Sequence, residues 1–126
     1  MQKETALALV VDDDPKVCYT FQQIIARFEI KVDSTSNPLE VLDLVKGGFY
    51  NVIFIDIMMP EKSGLELLLE IVKVNADTKI IMITGLNDRN LAIRALRLGA
   101  FDFLEKPFDY KLLGHSIQRA LQTQTT

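Results

Sequence analysis

The chain passes five times from a short apolar run to a segment with helical periodicity. Leu7 to Val11 is the first run, and it ends in Asp12-Asp13-Asp14-Pro15. Asp14 followed by Pro15 has the form of a helix N-cap and first helical residue, so a helix is predicted from there to about Phe28. Phe21, Ile24, Ile25 and Phe28 give it one apolar face, at spacings of three and four. Ile30 to Ser34 alternates, with Ile30 and Val32 against Lys31 and Asp33, which suits an edge strand with one face in water. Ser36-Asn37-Pro38 opens a second helix, packed through Leu39, Val41, Leu42 and Val45 and stopped by Gly47-Gly48.

Val52 to Ile55 reads as a strand buried on both faces, too short and too β-branched for a buried helix. It ends on Asp56, before a loop punctuated by Pro60 and Gly64. A third helix follows Ser63-Gly64 to about Asn75, and Lys79 to Thr84 is a fourth strand, again apolar on both faces. Asn87-Asp88 caps a fourth helix that ends at Gly99. Phe101 to Glu105 is the other edge strand. Lys106-Pro107 breaks the chain, and Asp109 caps a fifth helix to about Gln122, with Leu113, Ile117, Ala120 and Leu121 on one face. Five βα units in sequence require a parallel sheet with helices on both faces, an α/β fold in one domain over 1–126. Residues 122–126 read as a tail or the start of a linker.

Composition narrows the function more than the fold. The net charge of −3 gives no electrostatic drive towards nucleic acid or anionic membrane. No apolar run reaches the roughly 18 residues of a membrane span, and the N-terminus lacks a signal-peptide pattern. Cys18, the single cysteine, excludes an internal disulfide and fits a reducing cytoplasm. Helix packing is its expected role.

The strand ends carry the chemistry. In a parallel sheet they share one edge, so Asp12-Asp13, Asp56, Thr84 and Glu105-Lys106 converge there. Clustered carboxylates repel, and the repulsion is relieved by raised pKa values or by a bound cation. An all-oxygen set suits Mg²⁺, which takes one or two carboxylates and keeps several waters. Metal and ammonium would neutralise phosphoryl oxygens while a carboxylate oxygen attacks in line, so the outline is that of a phosphoryl-transfer site.

Five motifs now carry a resemblance: Val10-Val11-Asp12-Asp13-Asp14-Pro15; Asp56-Ile57-Met58-Met59-Pro60 with Ser63-Gly64; Thr84-Gly85; Gly99-Ala100; and Phe103-Leu104-Glu105-Lys106-Pro107-Phe108. In order and separation they resemble the receiver domain of bacterial two-component response regulators, over roughly residues 5–122. The resemblance implies a doubly wound, flavodoxin-like (βα)5 fold with strand order 2-1-3-4-5. It implies Asp56 as phosphoacceptor, with Asp13 and Asp56 ligating Mg²⁺ (or Mn²⁺) directly and Asp12 through water. The Met58 backbone carbonyl would complete that set. Lys106 would pair with the phosphoryl group, its bond to Pro107 would be cis, and Thr84 and Phe103 would act as the switch pair. It further implies a sensor histidine kinase or phosphotransfer protein as donor, and an output domain or partner on the fourth helix, fifth strand and fifth helix. No direct nucleic-acid or membrane binding is expected, and a phosphorylation-dependent homodimer is compatible with the family.

Two other classes meet specific obstacles. A haloacid-dehalogenase-type phosphatase would need Gly-Thr or similar where Pro15 stands, and a further acidic pair after Lys106, where only Asp109 follows. A flavodoxin would need a first loop rich in Ser, Thr and Gly, and this one is acidic. His115 reads as a surface residue and Asp14 as a cap alone; Arg89, Arg94 and Arg97 would ordinarily be a solvated face, but the resemblance puts them on the output surface and so implies a functional role for them.

Overall fold

A computed structural model describes residues 6–85, 88–106 and 110–122. The five strands are β1 (Leu7–Val11), β2 (Lys31–Thr35), β3 (Val52–Asp56), β4 (Lys79–Thr84) and β5 (Asp102–Glu105). The helices are α1 (Pro15–Ala26), α2 (Val41–Gly47), α3 (Gly64–Val74), α4 (Arg89–Leu98) and α5 (Tyr110–Gln122). All strand pairs are parallel, in the order β2-β1-β3-β4-β5. This is the expected order, and it puts the three apolar runs in the middle with the alternating strand β2 at one edge and β5 at the other.

Alternation along each strand divides the core into two layers. Leu9, Val11, Ile53, Ile55, Ile80 and Met82 face Val41 and Val45 of α2, Leu67, Leu68 and Ile71 of α3, and Ala95 of α4. Ala8, Val10, Val52, Phe54, Ile81, Ile83 and Leu104 face Cys18, Phe21 and Ile25 of α1 and Leu113, Ile117 and Ala120 of α5. Phe21 and Phe54 meet across this second layer with ring centroids 5.4 Å apart. Cys18 is buried there, in the packing role expected of it.

Three local expectations need correction. The second helix does not begin at Pro38. Asn37 caps a single 3-10 turn, Pro38–Glu40, and α2 starts only at Val41, which leaves Leu39 60% exposed. A proline with a capping Asx accommodates either turn, so the motif alone could not separate them. The first helix stops at Ala26 rather than Phe28, since Glu29 adopts φ 62° and turns the chain into β2. Asp88 stands at the start of α4 but makes no side-chain cap bond there; Gly85 N–H donates to its Oδ2 instead. Asn87 and Asp109, the other predicted caps, lie outside the described residues, as do Pro107 and Phe108. Gly99 does end α4 at φ 122°.

Candidate functional site

The sheet ladder continues past the strand ends and places the site. Asp12 N–H donates to the Thr35 carbonyl at 3.3 Å, Ile57 N–H to Ile83 at 3.0 Å, and Lys106 N–H to Thr84 at 2.8 Å. The chain is therefore still in register where the functional side chains begin. Asp12, Asp13 and Asp56 come together there, each with a carboxylate oxygen within 4.8 Å of the others. Lys106 Nζ lies 3.6 Å from Asp12 Oδ2 and 3.9 Å from Asp56 Oδ2. These four are the residues that the strand ends were expected to bring together.

The two faces of each carboxylate differ. Asp12 Oδ1 accepts from Asp14 N–H at 2.9 Å, and Asp56 Oδ1 accepts from Met58 N–H at 3.2 Å. In both residues Oδ2 is left to face Lys106. Burial raises the Asp56 carboxyl to about 6, against the lowering effect of the Met58 amide and of Lys106, with Asp12 and Asp13 adding to the rise. Asp12 is raised too, again chiefly by burial, opposed by the Asp14 amide and Lys106. The donor set is three carboxylates within reach of one ion, all oxygen, which fits a hard divalent cation such as Mg²⁺.

Asp14 takes no part in the cluster: its Oδ1 caps α1 by accepting from Lys16 N–H at 2.9 Å. Met58 points its side chain outward, 57% exposed, while its backbone amide holds Asp56. Thr84 is fully buried and its hydroxyl donates to the Leu104 carbonyl at 3.4 Å rather than towards Asp56. Phe103 is half-buried and lines an open groove between β5 and α5, together with Leu112, His115 and Arg119. His115 is exposed, as read from the sequence. The Lys106–Pro107 peptide bond lies outside the described residues.

Two supports were not visible as such in the sequence. Gly64 lets α3 start against the backbone of the site strand: a Cβ there would lie 2.6 Å from the Asp56 carbonyl oxygen and 2.7 Å from Ile57 Cα. The signal available was a glycine at the first position of a helix, read only as loop punctuation. Behind the acid pair, the Cys18 thiol donates to the Asp12 carbonyl at 3.3 Å and lies 3.5 Å from that of Thr35. The loop after Asp56 is also tied down, by a Lys62–Glu70 ion pair and by Ser63 Oγ, which accepts from Glu66 N–H at 3.2 Å.

A doubly wound parallel sheet with an acidic cluster and a lysine at its carboxyl edge defines a class of phosphoacceptor-like α/β domains. Comparison with known proteins makes this specific: the family model for the response regulator receiver domain matches residues 8–118, and the chain belongs to that family. It is 36% identical over 120 residues to the DNA-binding transcriptional regulator NtrC of Azospirillum brasilense, covering 95% of this chain and 25% of that protein. It is also 36% identical over 116 residues to the C4-dicarboxylate transport transcriptional regulatory protein DctD of Pseudomonas aeruginosa, covering 92% of this chain and 25% of that one. The chain thus spans about a quarter of the length of these relatives. Among solved structures, a response regulator receiver domain protein from Clostridium thermocellum superposes with TM-score 0.90 at 29% identity, covering 94% of this chain and 96% of that one. A CheY-like receiver domain protein from Methanospirillum hungatei gives 0.89 at 28% identity, covering 96% and 97%. Among the described residues, no helix is long and apolar enough to cross a membrane.

Proposed function

We propose that this chain is one receiver domain, working in the cytoplasm, whose Asp56 accepts a phosphoryl group from the phosphohistidine of a sensor histidine kinase or phosphotransfer protein. The observation that supports this reading is the meeting of three carboxylates and one ammonium at the strand ends. An Asp56 carboxylate oxygen attacks phosphorus, the P–N bond to histidine breaks, and an acyl phosphate forms. Water later attacks that phosphorus, and the carboxylate and inorganic phosphate are released. Both reactions take place on the chain's own aspartate: the first takes the phosphoryl group from the donor histidine, and the second, with water, regenerates the carboxylate.

Asp12, Asp13, Asp56 and the Met58 carbonyl would hold Mg²⁺, or Mn²⁺ in its place. When bound, the ion supplies positive charge that offsets the charge on the phosphoryl oxygens. Lys106, whose Nζ lies beside Asp12 and Asp56, adds a further positive charge and steadies the acyl phosphate. The Met58 amide orients Asp56 by holding Oδ1. Thr84 exchanges the Leu104 carbonyl for a phosphoryl oxygen, and Phe103 moves into the space beside it. The change is read on α4, β5 and α5 by an output domain, a partner protein or a second copy of the chain. Neither nucleic acid nor membrane is bound directly by this domain.

Intact-mass measurement after treatment with Mg²⁺ and acetyl phosphate tests the reading. The parent should gain one labile phosphoryl group, and Asp56→Asn, which keeps size and fold, should gain none. Label on the substituted chain would move the acceptor elsewhere. Consumption of the donor that continues undiminished in Asp56→Asn would favour a phosphatase.

A further inference from the structure

α4 and α5 flank β5 but are tied to the sheet in different ways. α5 buries Leu113, Ser116, Ile117 and Ala120. Asp102, at the start of β5, accepts from Ser116 Oγ at 2.6 Å and forms an ion pair with Arg119. α4 fully buries only two alanines, Ala92 and Ala95. Its N-terminus has no side-chain cap, because Asp88 is engaged with Gly85. Its first turn has no acidic residue and carries Arg89, whose charge opposes the helix dipole there. Something has to hold that end. Arg89 Nη2 lies 2.9 Å from Glu105 Oε1, and among the described residues this is the one ion pair between α4 and the sheet.

Its position matters more than its strength. Glu105 is the register partner of Thr84, and Lys106 N–H donates to the Thr84 carbonyl at 2.8 Å. The pair therefore ties Arg89, at the start of α4, to the residue of β5 that is in register with Thr84 at the end of β4. We propose that Arg89 and Glu105 form an electrostatic clasp that holds α4 in its resting position, and that the change at Thr84 competes with it. What opens the clasp rests on the phosphoacceptor reading; the clasp itself does not. Thr84 can turn to Asp56 only by giving up the Leu104 carbonyl, which loosens the end of β4 from β5 at the very register position of Glu105 and so strains the clasp. An exposed pair is weak enough for such a movement to open it and for its loss to be reversible.

Amide hydrogen exchange of the metal-free, unphosphorylated chain reads the clasp directly. Glu105→Gln should speed exchange across residues 91–98 up to about fivefold, the factor equivalent to the ~1 kcal/mol upper range of an exposed pair. Residues 113–120 of α5 should not change. With Arg89→Gln already present, Glu105→Gln should have no further effect on α4. Unchanged exchange in Glu105→Gln, or the same acceleration with and without Arg89, overturns the clasp. A second measurement reads its resting role: half-maximal amide-shift change with Mg²⁺ and beryllofluoride should need up to about fivefold less beryllofluoride in Glu105→Gln. An unchanged midpoint in a variant that does respond overturns that role. Failure of the parent to accept acetyl phosphate overturns the phosphoacceptor reading instead, and the exchange result still decides the clasp.

Discussion

At Asp56, burial outweighs the attraction of Lys106 and the Met58 amide, and the consequence is a pH-dependent stability. Its folded pKa of about 6 lies above the ordinary value of 3.8, so the folded chain holds this proton more tightly than the unfolded one. The stabilisation is fully present below pH ~4 and is lost as pH rises through ~6. It amounts to no more than ~3 kcal/mol. Asp12, raised for the same reason, adds in the same direction. Urea unfolding without divalent cations should therefore show stability falling between about pH 4 and 7, with a shallower fall in Asp56→Asn; an equally steep fall in the variant would contradict the assignment. Gly64 makes a second demand at this scale. Its missing Cβ faces backbone at 2.6 and 2.7 Å, which cannot move aside as a side-chain end can. Gly64→Ala should cost more than about 2 kcal/mol in denaturant unfolding, whereas Gly47→Ala, with nothing within 4 Å, should stay within about 1 kcal/mol of the parent.

Among the elements, the strands and most helix bounds were legible in the sequence; the carboxyl end of α1 and the start of α2 were not. Leu7–Val11 and Lys79–Thr84 coincide with their apolar runs because a strand buried on both faces has no other composition open to it. The start of α2 was not readable, since Asn37-Pro38 caps a 3-10 turn as well as it caps a helix. Asp88 failed as a cap for a related reason: a carboxylate can accept from any nearby amide, and the sequence does not say which. For the site, strand-end logic placed Asp12, Asp13, Asp56 and Lys106 together, but it could not say where the Thr84 hydroxyl points. That hydroxyl now donates to Leu104 on β5, so it links the site strand to the edge strand. Thr84→Ala should still accept a phosphoryl group at Asp56. The amide-shift change around Phe103 and residues 88–98 on adding Mg²⁺ with beryllofluoride should be much reduced, and changes as large as in the parent would exclude the threonine relay.

For the whole molecule, an ion bound at the acidic cluster would couple to folding through the charges of Asp12, Asp13 and Asp56. A cation held by Asp12, Asp13 and Asp56 binds only the folded chain, so Mg²⁺ should raise the melting temperature. At ten times its dissociation constant it should add about 1.4 kcal/mol. Asp13→Ala should raise the metal-free melting temperature and abolish the Mg²⁺ response. A metal-free melting temperature that falls in Asp13→Ala, with no Mg²⁺ response in the parent, would remove the basis for the cluster.

The strand order has a consequence for how this site comes into being during synthesis. β1 is made first yet lies inside the sheet, and its second partner, β3, begins only at Val52. Until then a strand buried on both faces in the finished fold keeps one ladder edge open, the kind of edge that invites pairing with other chains. Within this domain Asp12 and Asp13 are likewise synthesised well before Lys106, the cation that faces Asp12. The constellation of Asp12, Asp13, Asp56 and Lys106 is therefore complete only once β5 has joined the sheet.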